Sequence, residues 1–328
     1  MEHIEVLVNK AEDNDLSAQQ AYSTNKPFII ANTIEAEFEE IKANHIIPVY
    51  IKDNETLISH SDFIETTSQV VREIFPSETI LKPCVRLSHP IKGRIPEAKS
   101  KPVNELEEWE KTIYYERMAF IIEVPSITQK IDGNTISLTI GGVKSFSLDN
   151  LYNRKGSDEH FKVFIGFQNK LCTNLCVWTD GALLDLKVTS IGQLRGCIKT
   201  MLSQYNMPYH LYNLKQLCDY SITEQQFATL VGRCRMYPFL STAVKNDIPL
   251  LHFGDTQMSA VVKDFYKDES FCKSEDGNIN LWRLYNLFTG ANKSTYIDQF
   301  VERSVGAFNF THHLKTALQK GAFSWYLS

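Results

Sequence analysis

The sequence predicts an α+β fold in which an antiparallel sheet-rich N-terminal half packs with a helical C-terminal half. Before residue 190 the apolar residues alternate or form short blocks, which is typical of strands. After Ser190 they recur every three or four residues, which is typical of amphipathic helices. The 328 residues, 43% of them hydrophobic and 22% charged, are enough to bury such a core without disulfide bonds.

The predicted strands follow one another along the first half of the chain. A glycine that can take positive φ makes a tight antiparallel hairpin at Asp132-Gly133-Asn134. One helix interrupts the strands, starting after Ser61 and ending before Pro76. The strands are HIIPVYI (45–51), CVRLS (84–88), TIYYERMAFIIEV (112–124), NTISLTIGGV (134–143), HFKVFIGF (160–167) and LLDLKV (183–188).

Helical periodicity fills the second half. Ser221 and Glu224 match a capping box at the start of one helix. Gly290 is predicted to separate the last two helices, at 279–288 and 295–320, and Gly321 to end the second. The apolar stripes of the earlier helices are Ile191, Leu194, Ile198 and Leu202; Phe227, Leu230, Val231 and Cys234; and Met258, Val261, Val262 and Phe265.

These patterns divide the chain into an acidic N-terminal arm with a short helix (1–43), an antiparallel α+β region (44–189) and a helical region (190–328). Residues 1–27 offer few periodic apolar positions, so we expect them to be dispensable for folding. The chain starts MEHIEVLVNKAEDND and nowhere has about 18 consecutive uncharged apolar residues. We therefore expect a cytoplasmic protein with no membrane contact.

The run from His160 to Asp180 packs large apolar side chains into a nearly charge-free segment, which predicts the buried centre of the sheet. We expect its thiols, Cys172 and Cys176, to be reduced and free of metal. A structural zinc site needs a second pair of ligands, and residues four apart on a strand are about 13 Å apart. The seven cysteines of the chain are scattered and odd in number, as in a reducing cytoplasm.

No common catalytic motif is present. Gly141-Gly142-Val143-Lys144-Ser145 lacks the glycines that a phosphate-binding loop needs, and we interpret its glycines as a bulge at a strand end. We expect no cofactor and no metal ion, and the sequence favours a non-enzymatic protein while leaving an enzyme open. The acids that a metal-dependent nuclease could use are Glu116, Glu123, Asp149, Asp180 and Asp185, and their spacing alone does not bring them together.

Basic and aromatic residues form the strongest candidate site. Residues 82–101 hold six basic residues against Glu97 alone, and aromatic residues follow. Basic grooves with stacking rings hold single-stranded nucleic acid without reading its sequence. A solvated loop would show the same charges. The candidate nucleic-acid-binding residues are Lys92, Arg94, Lys99, Lys101, Tyr115, Arg117, Arg233 and Arg235.

Several segments resemble a bacterial family known as a domain of unknown function, found on phages, plasmids and conjugative transposons. They are SHPIKGRIPEA, EWEKTIYYERMAFIIEVPSI, IDGNTISLTIGGVKSFSLDNLY, HFKVFIGFQNKLCTNLCVWTDG and NLWRLYNLFTGANKS, and the resemblance starts at about Ile46. Cys172-Thr173-Asn174 and the segment Trp282 to Asn286 are similar, more distantly, to the phage/plasmid-like protein family. The resemblance implies a genomic context, and it provides no catalytic residues that could be assigned to this chain.

Three functions follow from these observations. The first hypothesis is an accessory protein of a mobile element that binds single-stranded or duplex DNA, for example to anneal single strands during recombination or transfer. The second is a non-enzymatic protein that binds another protein and modulates host defence or the element's own regulators. The third is a metal-dependent nuclease.

Overall fold

The structure is a computed structural model that describes residues 26–44, 57–88, 90–98, 100–149, 158–246 and 248–328. The predicted strand at 45–51, the candidate Lys99 and most of the N-terminal arm lie outside these residues. The dispensability of residues 1–27 therefore stays a prediction.

Ten strands are assigned within these ranges, and every pairing is antiparallel. They are β1 (Ile34–Ala36), β2 (Cys84–Leu87), β3 (Pro90–Arg94), β4 (Lys111–Tyr115), β5 (Arg117–Ile131), β6 (Asn134–Ser145), β7 (Glu159–Asn169), β8 (Leu175–Val188), β9 (Ser221–Ile222) and β10 (Ile279–Asn280). Six of them form one sheet in the order β1-β2-β5-β6-β7-β8. Strands β3 and β4 form a separate two-stranded ribbon, and β9 pairs with β10.

The part of the chain that follows the sheet is mostly helical, so the predicted α+β fold is confirmed. The helices are α1 (Phe38–Asn44), α2 (His60–Ile74), α3 (Ile191–Gln204), α4 (Met207–Gln216), α5 (Glu224–Met236), α6 (Thr242–Lys245), α7 (Asp255–Lys267), α8 (Leu281–Asn292) and α9 (Ile297–Lys320). None of these helices is long and apolar enough to cross a bilayer.

The predicted hairpin joins β5 and β6. Asp132 and Gly133 have φ angles of 46° and 75°, and Ile131 pairs with Asn134. Positive φ at both central residues is the requirement of a type I′ turn, whose twist matches that of the flanking strands. The hairpin prediction is confirmed.

The central strands are covered on both faces. Phe161, Val163 and Ile165 of β7 join a core shared with α2 and most of the helical region. Phe164, between them, belongs to a second cluster formed with Phe300 and other residues of α9. Because alternate residues of a strand point to opposite faces, burial on both faces explains why this run shows no polar alternation. Its predicted place at the centre of the core is confirmed for β7, whereas β8 is an edge strand and Trp178 is half-buried.

Gly141 and Gly142 do not form a bulge, so that interpretation is wrong. Both pair regularly with β5 and β7 in the middle of the sheet. A Cβ on Gly142 would lie 2.3 Å from Cζ of Phe63, whose ring packs edge-on against Phe120 and Phe161. Glycine is needed there because an aromatic ring lies directly on the backbone. The bulge of this hairpin lies between Val124 and Thr128 of β5.

Two helix boundaries also differ from the prediction. The N-cap of α5 is Thr223, which forms a capping box with Gln226, whereas Ser221 pairs with Asn280 in the small sheet. Gly290 lies inside α8 and does not separate helices. Gly321 ends α9 with a φ of 58°, as expected for a left-handed C-cap.

Candidate nucleic-acid interface

The ribbon of β3 and β4 brings together several of the predicted basic residues. Its register places Lys92 opposite Ile113 and Arg94 opposite Lys111. Directly opposed and alternate positions of a two-stranded ribbon share a face, so these four positions lie on one face. The two strands contain three basic residues and no acid. Ile113 on this face is 47% exposed.

The opposite face of the ribbon packs on the body of the protein. Tyr114 is 1% exposed, and its ring stacks on His60 of α2 at a centroid distance of 5.4 Å. Phe146 lies edge-on to the same tyrosine at 5.1 Å. Burial raises the pKa of Tyr114 well above its ordinary value, so the hydroxyl stays neutral. The ribbon is therefore anchored on one face, and the other, which we call the open face, exposes Lys111 and Ile113 of β4.

The connector between the two strands has the opposite charge. Residues 95–110 contain five glutamates, and the count of basic residues over 82–101 did not include the four that follow it. Trp109 in this connector is 70% exposed. Burying so large a ring is favourable, so an exposed tryptophan here is a candidate contact residue.

Two lysines of the interface are paired with connector glutamates. Lys101 Nζ lies 2.5 Å from Oε1 of Glu110, whose side chain is only 3% exposed. The hydrogen bond from Lys101 is the main reason why the pKa of Glu110 is lowered. Lys111 pairs at 2.5 Å with Glu108, and here both side chains are exposed. Lys101 therefore joins two parts of the connector to each other, whereas Lys111 remains exchangeable with other partners.

Tyr115 and Arg117 lie at the base of the ribbon. Tyr115 is 6% exposed, and its carbonyl accepts a hydrogen bond from His60 Nε2 at 2.7 Å. Its ring thus offers little surface to a nucleic acid. Arg117 lines a cavity of about 250 Å³, where its guanidinium lies 3.7 Å from a Glu116 oxygen and 3.9 Å from an Asp298 oxygen.

Arg233 and Arg235 lie on α5, in the helical region. The Arg233 guanidinium stacks over Trp325 at 4.9 Å and donates to the carbonyl of Ser328. Arg235 pairs with Asp255 at 3.0 Å. Among the described residues, no hydrogen bond or ion pair joins these two arginines to the ribbon, so the predicted set divides into two separate groups.

A buried ion cluster that no sequence motif predicts forms around Lys144. Lys144 Nζ donates to Asp149 Oδ2 at 2.6 Å and to Glu159 Oε2 at 2.9 Å, and it lies 4.0 Å from the centre of the Phe161 ring. Burial raises the pKa of Glu159, and the Lys144 charge opposes this shift. The one signal in the sequence is that Lys144 is the single charged residue of β6.

The nuclease hypothesis finds no support in this cluster. Asp149 is fully occupied by Lys144 and by the backbone N–H of His160, which donates to Oδ1 at 2.7 Å. Glu123 pairs with Lys170 at 3.3 Å. Within the ranges that the structure describes, no three His, Cys, Asp or Glu side chains are placed to hold a metal ion.

A second cavity, of about 420 Å³, opens beside this cluster. It is lined by His160, Lys162, Asp185 and Glu302 among others. Lys162 contacts the Glu302 carboxylate and the Asp298 carbonyl of α9. This lysine thus fastens α9 to the sheet.

The two segments with the distant resemblance meet in the fold. Asn174, in the turn between β7 and β8, donates from Nδ2 to the carbonyl of Asn286 in α8 at 2.9 Å. Lys293 donates to the Cys172 carbonyl and to Thr173 Oγ1 in the same turn. Thr173 has a φ of 58°, which is strained for a β-branched residue, so these contacts hold an unfavourable backbone conformation. The residues that carry the resemblance therefore join the sheet to the helices.

One family profile matches residues 10–327, and its description is "Domain of unknown function, B. Theta Gene description (DUF3871)". The chain belongs to this family. The match reaches further toward the N-terminus than the resemblance that starts at about Ile46. The description names neither an activity nor a genomic context. No curated protein and no solved structure shows a significant match to the chain.

Proposed function

We propose that this protein is an accessory protein of a mobile element that binds single-stranded nucleic acid along the open face of the ribbon. The observation that carries the proposal is the ribbon itself, which has one face docked through Tyr114 and one face with the positions of Lys92, Arg94 and Lys111. The mobile element is supported by the resemblance of the segments quoted above.

The charges of the ribbon suit phosphate contacts at three positions. Lys92 and Arg94 stand in β3, and the pair between Lys111 and Glu108 is exposed on both sides. Exposed ion pairs contribute little to stability, so a phosphate can replace Glu108. Lys101 is different, because its partner Glu110 is a buried carboxylate that would lose its counter-charge. We therefore assign Lys101 to the structure of the connector and not to phosphate binding.

The exposed Trp109 favours single strands over duplex. Base stacking on aromatic side chains contributes about 1–3 kcal/mol per base and requires a base that is not stacked in a duplex. Trp109 lies just before β4, so a single-stranded nucleic acid that follows the ribbon would pass it. Stacking on this ring would add affinity without sequence preference.

A salt titration tests the proposal. Single-strand binding to a labelled 20-mer is measured by fluorescence anisotropy for the wild type and for K92Q/R94Q/K111Q. If all three residues touch phosphates, the slope of log K against log salt falls by about 2, since each contact contributes about 0.7. K215Q/K263Q/K320Q removes three exposed charges from the helical region and should leave the slope unchanged. The proposal fails if the wild type binds no oligonucleotide at low salt, or if both triple variants behave alike.

Binding of a protein partner is the second candidate, and the acidic connector with its exposed Trp109 favours it. The variant E105Q/E108Q separates the two functions. If the ribbon binds nucleic acid, removing two nearby negative charges tightens that binding and releases Lys111 from Glu108. If the connector instead binds a basic protein surface, the same variant leaves oligonucleotide binding unchanged.

A further inference from the structure

The cavity at the base of the ribbon continues the open face toward the body of the protein. Pro90, which begins β3, and Glu116, which follows β4, both line it. Its other walls are the turn at Asn32 and the first residues of α9. A single-stranded nucleic acid that leaves the ribbon at its base therefore reaches this cavity directly.

The walls of the cavity are fixed by hydrogen bonds. Ser88 and Arg117 bond twice, with the Ser88 N–H donating to the Arg117 carbonyl at 2.9 Å and the Arg117 N–H donating to Ser88 Oγ at 3.0 Å. Arg86 donates to the carbonyl and to Oγ1 of Thr33, both at 3.0 Å. The Ala31 N–H donates to the carbonyl of Lys293 at 3.2 Å. The site is thus formed before any ligand arrives, which lowers the entropic cost of binding.

Two side chains in the cavity are available to a ligand. Tyr296, directly before α9, is 56% exposed. The guanidinium of Arg117 makes two long ion pairs, with Glu116 and with Asp298, and its buried Nε has no hydrogen-bond partner among the described residues. A planar guanidinium with unused donors binds a planar ligand that carries acceptors along its edge.

The charges near Arg117 select against a free phosphate. Glu116 and Asp298 place two carboxylates within 4 Å of the single guanidinium, so the local charge is negative. A neutral ring with both donors and acceptors satisfies this mixture better than an anion does. The volume of about 250 Å³ is below the roughly 300–1,000 Å³ of sites for drug-sized ligands, which suits a ligand of one ring system.

We infer that this cavity holds one unpaired base of the bound strand, stacked on Tyr296 with its polar edge against Arg117 and Glu116. The inference rests on the proposed function and assigns Arg117 to a base, not to a phosphate. Unstacked bases are held in this way, between aromatic rings and arginine planes, by many proteins that bind single strands.

The test uses two 20-mers with the same phosphates, one with normal bases and one built entirely of abasic residues. Y296A should weaken binding of the normal strand by about 5- to 150-fold, which corresponds to stacking of about 1–3 kcal/mol. Its binding of the abasic strand and its salt slope should equal those of the wild type. Y296F keeps the ring and should bind both strands like the wild type. Y212A, which removes a tyrosine exposed to a similar degree on α4, is the matched control.

R117Q distinguishes a base contact from a phosphate contact. It should weaken binding of the normal strand with an unchanged salt slope, whereas a lost phosphate contact would lower the slope by about 0.7. Equal binding by Y296A and the wild type, or a lowered slope for R117Q, overturns the base site while leaving ribbon binding intact. If the wild type binds neither strand at low salt, the proposed function itself is overturned.

Discussion

Strand β7 and the ribbon of β3 and β4 have a similar fraction of apolar residues, but they differ in how many of their faces are buried. Both faces of β7 are buried, one against α2 and one against α9. The ribbon buries Tyr114 on one face and leaves Ile113 47% exposed on the other. An exposed face that costs stability without a visible packing role is where a binding function is expected. The comparison predicts that changes in the sheet alter stability, whereas changes in the ribbon alter binding.

The largest stability effect is expected at Lys144. K144M leaves Asp149 and Glu159 buried without their counter-charge, which should lower the free energy of unfolding by about 3–5 kcal/mol at pH 7. Urea denaturation measures this loss. K187M removes an exposed lysine that pairs with Asp185, and its effect should stay within about 0.5 kcal/mol. Similar losses of unfolding free energy in K144M and K187M would contradict the assignment of Lys144 to the stability of the sheet.

The buried His210 should make the stability of the protein depend on pH. Its ring is fully buried against Trp178 and Phe308, with Nδ1 2.5 Å from the Tyr205 hydroxyl. Burial lowers the pKa of His210 from 6.5 to about 3. Between pH 6.5 and about pH 3 the unfolded chain binds more protons at His210 than the folded protein does. The contribution of His210 to stability is therefore fully present above pH 6.5 and is lost as the pH falls. The contribution of one proton is about 1.4 kcal/mol per pH unit.

H210F should lose this contribution. Urea denaturation at pH 6.5, 5.5 and 4.5 should therefore show a shallower dependence of stability on pH for H210F, by up to about 1.4 kcal/mol per unit, than for the wild type. The comparison of slopes is independent of any constant loss that the substitution causes. Parallel curves would show that His210 is not held neutral in the folded protein.

Gly142 tests the close approach of α2 to the sheet. G142A places a methyl group where the Phe63 ring lies, and that ring is held by Phe120 and Phe161. Overpacking of this kind should cost about 1–3 kcal/mol. G196A, on the exposed side of α3 with open space around it, should instead stabilise the protein by up to about 1 kcal/mol. Thermal melts of both variants should show a lower melting temperature for G142A and a higher one for G196A than for the wild type.

The fold was predictable where local chemistry and tertiary pairing agree. Asp132-Gly133 permits only a few backbone conformations, so the hairpin followed from two residues. The start of α5 was ambiguous, because Ser221 with Glu224 and Thr223 with Gln226 both fit the capping-box pattern. The pairing of Ser221 with Asn280, 59 positions later, decides between them, and that contact is not local.

The ribbon could not be predicted from the sequence, because it also depends on contacts that are not local. Residues 112–124 show one continuous apolar pattern, yet the chain leaves the ribbon at Glu116 because β4 pairs with β3 while β5 pairs with β2. The basic composition of the candidate site was visible in the sequence. The pairing of Lys101 with Glu110 depends on how the connector folds back, and the burial of Tyr115 depends on its place in the main core. Composition specifies neither.

The smallest stability effect is expected at Trp109, together with a large effect on binding. Its ring is 70% exposed, so W109A should change the free energy of unfolding by no more than about 0.5 kcal/mol. If a base stacks on it, the same variant should weaken single-strand binding by about 5- to 150-fold, while W109F retains most of the affinity. W178A is the counterpart in the sheet, because Trp178 packs against Tyr209 and Phe308 and its removal should destabilise the fold. A W109A protein that melts early but binds like the wild type would reverse the assignment, since Trp109 would then support the fold and the connector would have no role in binding the strand.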